Sequence, residues 1–221
     1  MLTRNDATVD NALDLVEIAR AVGVTHIGFK DVGADAATLA RLAEAIRAAD
    51  ARLYMEVVAT TREAELRSVR AALELRVDVL LGGVHADEAL ALIAAAPVRY
   101  LPFAGRPVGH PTRLGGGPGT IEADCRAFLA KGCAGVDLLA YRAEEAEPLD
   151  LIRAARRGLG RDGRLVVAGS VDSAERIRAV RAAGADAITI GTAVLDGAYA
   201  PAAGSVRAQL ETVVADCRAA S

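Results

Sequence analysis

A chain of 221 residues, 52% hydrophobic and 25% charged, has room for one domain with a full core. Its net charge of −3 and its 3% aromatic content exclude a basic, aromatic-studded surface for nucleic acid. No apolar run reaches the roughly 18 residues of a membrane span. Met1–Asn11 lacks the apolar centre of a secretion signal, so a cytoplasmic location is expected. Cys125, Cys133 and Cys217 are odd in number, lack metal-ligand spacing, and read as reduced, mostly buried thiols.

The predicted elements alternate along the whole chain. A first strand falls at Met1–Asn5 and a helix near 10–22. Strand Gly23–Lys30, a helix near 34–49, strand Arg52–Ala59 and a helix near 61–75 follow. Next come strand Arg76–Gly83, a helix near 86–95, strand Val98–Gly105 and a helix near 119–131. Strands Gly135–Arg142, Arg164–Val171 and Gly184–Gly191 are separated by helices near 147–158 and 173–183, and a last helix lies near 203–218. Asp172 with Glu175 fits a capping box at the start of one of them. Eight apolar strands alternating with eight helices define a single (β/α)₈ TIM barrel over residues 1–221, with no linker.

Every second strand repeats one pattern. Aligned on Val24, Val77, Val136 and Ala185, the copies step by 53, 59 and 49 residues. The alignment puts Asp78, Asp137 and Asp186 at the N-terminal end of their strands, which marks Asp137 as structural. His26 is one residue further up its strand, again at that end. Alternation then sends Ile27, Phe29, Leu139, Tyr141, Ile188 and Ile190 toward the helices. Gly28, Lys30, Ala140, Arg142 and Thr189 face the axis. In the other strands Glu56 shares the inward parity of Ala168 and Ser170. Lys30 and Glu56 are therefore expected close together at the mouth.

Lysine is scarce: 24 arginines accompany only Lys30 and Lys131. Arg cannot lose its proton, whereas a buried Lys can be moved toward neutrality. Lys30 is thus a catalytic candidate, with Glu56 as proton carrier and Arg142 offsetting negative charge. A Schiff-base nucleophile needs an amine brought from ~10.4 toward roughly 7–8. An ionised Glu56 instead keeps an ammonium, which polarises a carbonyl and stabilises an enolate.

The stretch Ala104–Thr120 has three prolines and six glycines and reads as an irregular lid after the fifth strand. Within it His110 is a candidate acid/base and Arg113 a second phosphate contact. Arg4 and Asp6 end the first strand within reach of the mouth. His85 lies on the same face, or leads only into the next helix. The three histidines make a poor metal set, because His26 belongs at the other end.

The turns Gly169-Ser170 and Gly191-Thr192 bare backbone N–H groups at neighbouring strand ends, a phosphate-holding arrangement near a helix start. Val167–Ser170 followed by Ala187–Ala193 resembles the ribulose-phosphate-binding barrel superfamily. That resemblance implies a phosphate held by Gly169, Ser170, Gly191 and Thr192. A strand ending in Lys30 is similar to the (5-formylfuran-3-yl)methyl phosphate synthases, which carry a Schiff-base lysine there; Tyr141-Arg142 stands where their second lysine would be. GFKDVG, GRPVGHP and DLLAYR resemble small bacterial barrels labelled 4-hydroxythreonine-4-phosphate dehydrogenase, although no GxGxxG opens a helix after a strand.

The expected activity is that of an aldolase- or synthase-type lyase on a small phosphorylated carbonyl compound. Isomerisation or epimerisation shares the enolate step. A non-catalytic phosphometabolite-binding barrel and a dehydrogenase are the readings from other classes. No cofactor or metal is called for. The partner is the small phosphorylated substrate, with no nucleic acid or membrane, and homo-oligomerisation is compatible with the sequence.

Overall fold

The computed structural model describes residues 1–59, 61–109 and 111–220. The helices start where short polar side chains cap them. Asp35, Thr61, Ser173 and Ser205 each accept a hydrogen bond from the backbone N–H three residues on. At the third of these the cap is Ser173, not Asp172, which instead pairs with Arg176. Eight helices match the expected ones: α1 (Ala12–Val22), α2 (Ala36–Ala48), α3 (Arg62–Glu74), α4 (Ala86–Ile93), α5 (Pro118–Lys131), α6 (Pro148–Leu159), α7 (Ala174–Ala182) and α9 (Val206–Ala219). The four-residue α8 (Thr192–Leu195) was not expected.

Among the described residues, seven parallel strands lie in two sheets. One has the order β3 (His26–Lys30), β4 (Arg52–Val57), β5 (Val79–Gly82), β6 (Arg99–Leu101). The other has the order β11 (Ala187–Ile188), β10 (Arg164–Val167), β9 (Gly135–Leu138). Backbone bonds Ala134 N→Tyr100 O, Asp137 N→Pro102 O and Ala104 N→Asp137 O join β6 to β9. On the other side Leu2 N donates to Gly28 O, and the Met1 nitrogen to Ile190 O. The expected first strand is instead one arm of a hairpin, β1 (Thr3–Arg4) with β2 (Ala7–Thr8). Its two-residue turn has positive φ at both Asn5 (49°) and Asp6 (61°), the geometry that suits the twist of a tight hairpin.

The core divides as alternation requires. Val79, Leu81, Leu101 and Val166 fill the space between the sheets. Ile27, Phe29, Leu53 and Met55 point the other way, into a cluster shared with α1 and α2. Val136, Leu138 and Leu165 do the same toward α5 and α6.

Two expectations fail at the strand ends. Ala104–Thr120 is not irregular: β7 (Arg106–Val108) and β8 (Arg113–Gly115) pair antiparallel across it, and Ala104 and Leu114 are buried. The strand expected over Gly135–Arg142 stops at Leu138 and turns into a 3₁₀ segment, Ala140–Arg142.

Asp137 is the larger correction. Gly23 and Gly132 close α1 and α5 with the same left-handed cap, and Arg76 and Gly184 hold that place after α3 and α7. Counting from the cap, Ala134 takes the backbone place of Asp78. Each bonds the carbonyl of the second residue in the preceding strand and the N–H of the first residue in the next. Asp137 is three residues beyond Ala134, about 10 Å further along the strand. An odd shift also turns it to the opposite face. Between Ala134 and Asp137, Gly135 runs close to the next strand, where at its φ of 152° a Cβ would collide with the Arg164 carbonyl.

Candidate functional site

Beyond the C-terminal ends of the strands lies a cavity of about 630 Å³, within the range of small-molecule sites. Lys30 and Glu56, register partners on β3 and β4, reach it from one wall. The turns at Gly169-Ser170 and Gly191-Thr192 form another.

Lys30 is buried between two carboxylates. Its Nζ lies 2.8 Å from Asp6 Oδ1 and 3.1 Å from Glu56 Oε1. Asp6 extends the network, because its second oxygen accepts from Arg142 Nη1 at 2.6 Å and from the Thr112 N–H at 2.9 Å. Arg142 Nη1 also donates to the Thr112 carbonyl, 3.2 Å away. The backbone of Lys30 is pinned in turn: Thr8 Oγ1 accepts from its N–H and donates to its carbonyl. Four separate elements thus converge, the β1–β2 hairpin, the ends of β3 and β4, and the 3₁₀ turn after β9.

The charges shift one another. Burial alone depresses the Lys30 amine, but Glu56 and then Asp6 outweigh it and hold the amine above its ordinary value. Burial works against ionised Asp6, yet the Arg142 hydrogen bond and the Lys30 charge hold its carboxyl well below the usual carboxylate range. Lys30 therefore rests as an ammonium in this arrangement. Asp137 has 0% exposure, and among the described residues neither of its side-chain oxygens makes a well-formed hydrogen bond. Burial, and next the charge of Glu56, raise its carboxyl well above the usual range.

The opposite wall offers donors. Among the described residues, none accepts a hydrogen bond from the N–H groups of Gly169, Ser170, Gly191 or Thr192. The first turn is strained: Ser170 holds φ 56° directly after Gly169 at φ 76°. Gly169 must be glycine, since a Cβ there would collide with Arg142 Nε. Arg176 buttresses this turn by donating to the Ser170 carbonyl while stacking 4.7 Å from the Tyr141 ring.

The other candidates separate. Arg113 lines the cavity and pairs with Glu144 at 2.6 Å. Arg4 does not line it; its half-exposed guanidinium is held at 2.6 Å by Asp196, which does. His110 lies outside the described residues. His85 caps α4, with Nδ1 2.7 Å from the buried Glu65, away from the cavity. His26 bonds Tyr54 at 2.8 Å beside a second, more apolar cavity at the other end. Arg142 arrives from the 3₁₀ turn rather than by strand alternation, and Leu139, expected outward, lines the cavity.

Asp6 and Thr112 carry more of the network than the sequence suggests, and Asp137 lies further along its strand than the N-terminal end expected for it. The Asn5-Asp6 pair, a tight-turn dipeptide, is the signal that places Asp6. For Asp137 it is the earlier glycine, Gly132, which ends the helix.

No protein-family model and no curated protein matches the sequence. Solved structures do match the fold. A native KDPGal structure aligns at TM-score 0.70 with 15% identity over 97% of this chain and 92% of its own. The BexX/CysO complex of Amycolatopsis orientalis gives 0.66 with 21% identity, over 97% and 86%. Orotidine 5′-phosphate decarboxylase from Pyrococcus horikoshii OT3 gives 0.64 with 12% identity, over 95% and 94%. The architecture is the mixed α/β, parallel-strand arrangement of TIM-barrel proteins.

Proposed function

We propose that the chain is one (β/α)₈ barrel domain and an enzyme acting on a small phosphorylated carbonyl compound, as an aldolase- or synthase-type lyase. The backbone bonds linking the two sheets support the closed barrel, with Met1–Arg4 as the eighth staves' worth of chain. The observation that carries the chemistry is the Lys30 ammonium, fixed by Asp6 and Glu56 at one wall of a cavity whose other wall has free backbone donors. The substrate phosphate takes the N–H groups of Gly169, Ser170, Gly191 and Thr192, and Arg113 closes over it. The carbonyl oxygen takes a hydrogen bond from Lys30.

In the cleavage direction Glu56 accepts the proton of the β-hydroxyl. The Cα–Cβ bond breaks, and its electron pair moves through Cα onto the carbonyl oxygen as an enolate. Lys30 stabilises that charge, and Arg142 offsets it. The enolate carbon then takes that proton from Glu56, which releases the product and restores the carboxylate. An isomerase or epimerase is the second reading. It is favoured by the placing of Glu56 beside the ammonium, where one carboxylate can remove and return the same proton. A Schiff base requires Lys30 first to pass a proton to Glu56.

The test is turnover of a panel of phosphorylated ketones and aldehydes, with borohydride added during the reaction. Product from the wild type and none from folded Lys30→Ala or Glu56→Ala supports the proposal, and the absence of a trapped adduct supports the ammonium route. An adduct at Lys30 transfers the chemistry to the Schiff-base route. Thermal stabilisation by every phosphorylated ligand without any product identifies a binding protein instead.

A further inference from the structure

We propose that Asp137 is held as a neutral carboxylic acid inside the barrel, so that it adds no further negative charge to the network of Lys30, Asp6 and Glu56. The role of Glu56 as base rests on the function proposed above; the state of Asp137 rests on its own surroundings.

Asp137 is sealed between the sheets, and among the described residues its oxygens make no well-formed hydrogen bond, the backbone N–H of the next residue, Leu138, being the one donor that bears on them. The charged groups that act on it are Glu56 from β4, Lys30 from β3 and Arg142 from the 3₁₀ turn. Both cations are already engaged. Lys30 faces Asp6 and Glu56, and Arg142 faces Asp6 and the Thr112 carbonyl. Lys30 and Arg142 thus already face two carboxylates, and the buried Met1 amine, which also feels Glu56, is lowered by burial to about 6 and donates to the Ile190 carbonyl. A third ionised carboxyl would add an unpaired, unsolvated charge, and a buried carboxyl in that position neutralises instead. The negative charge of Glu56 adds to that penalty.

Neutral Asp137 is a positioning residue that acts through Glu56. When Glu56 takes a proton and the substrate becomes an enolate, one negative charge moves within the site and none is added. An ionised Asp137 would repel that enolate. Holding the proton costs stability, and the sign follows from the raised carboxyl. Above about pH 4 the unfolded chain releases the Asp137 proton while the folded chain keeps it, so stability is lost as pH rises from there toward the folded value.

Infrared difference spectroscopy of the full chain tests the proposal without substrate. The wild type near neutral pH should show the carbonyl stretch of a protonated carboxylic acid, and Asp137→Asn should lack it. In Glu56→Gln that band should titrate away at least about one pH unit lower, a tenfold weaker hold on the proton. Asp137→Asn should melt higher than the wild type near neutral pH, with the gain closing toward about pH 4. The proposal is overturned if the folded wild type has no such band, if the band survives in Asp137→Asn, or if Glu56→Gln leaves its titration unmoved. Should Asp137→Asn not fold, carbon-13 NMR of labelled aspartates in the wild type and Glu56→Gln follows the same titration. None of these results depends on turnover, so failure of the activity screen leaves them separately readable.

Discussion

The carboxylate of Asp6 and the guanidinium of Arg142, 136 positions apart in the chain, meet at 2.6 Å. The other Asp6 oxygen is 2.8 Å from Lys30 Nζ. One side chain therefore locks the N-terminal hairpin, the end of β3 and the turn after β9 into one network. Asp6→Asn should weaken both ion pairs while keeping the shape. Breaking one partner of a buried pair costs roughly 3–5 kcal/mol. Because Asp6 is held below the usual range when folded, its contribution is present above about pH 4 and lost as pH falls below it. Urea denaturation across pH should show a large deficit for Asp6→Asn near neutrality and a vanishing one in acid. A constant deficit at every pH would contradict the assigned charge.

Lys30 variants separate charge from shape. Lys30→Met keeps the stem and removes the ammonium, and kcat is expected to fall by about 10²–10³-fold, the usual cost of losing an oxyanion donor. Lys30→Arg should not restore it, because a planar fork cannot take the place of a point charge held 2.8 and 3.1 Å from two fixed carboxylates. Steady-state kinetics with circular dichroism as a folding control decides this. Recovery in Lys30→Arg would reduce Lys30 to a generic cation.

Gly169→Ala tests the phosphate wall. A methyl at φ 76° is strained and collides with Arg142 Nε, so the turn must move. Inorganic phosphate should inhibit the wild type competitively and the variant about tenfold more weakly, near 1.4 kcal/mol. Equal inhibition constants would remove this turn from the phosphate site.

Arg4→Ala supplies the opposite expectation. The Arg4–Asp196 pair is 46% exposed on both sides, where such pairs contribute up to about 1 kcal/mol. Thermal melting should change slightly and kcat/KM by no more than about twofold. A large kinetic loss would bring Arg4 into the site.

Helix and strand order was legible because apolar periodicity reports burial directly. Lys30 and Glu56 came together on paper because both lie within strands, where alternation and register are rigid. Periodicity loses its meaning where the chain leaves regular structure. Arg142 was right in destination and wrong in route, since the strand had already ended at Leu138. Asp137 was misplaced because Gly-Val-Asp looks like Gly-Ala-Asp, while the physical landmark is the helix-ending Gly132. The Ala104–Thr120 hairpin was hidden by its glycines and prolines, whose backbone pairing carries no apolar signature.

The central claim is that charge develops on a carbonyl oxygen beside Lys30 while Glu56 manages the proton. The most direct measurement is NMR of a phosphorylated ketone incubated with the protein in deuterium oxide. The account predicts deuterium entering the carbon next to the carbonyl, rapidly with the wild type and at the background rate with Glu56→Gln and Lys30→Met. Substrate turnover by the wild type with no deuterium at that carbon, or undiminished exchange in both variants, would contradict it.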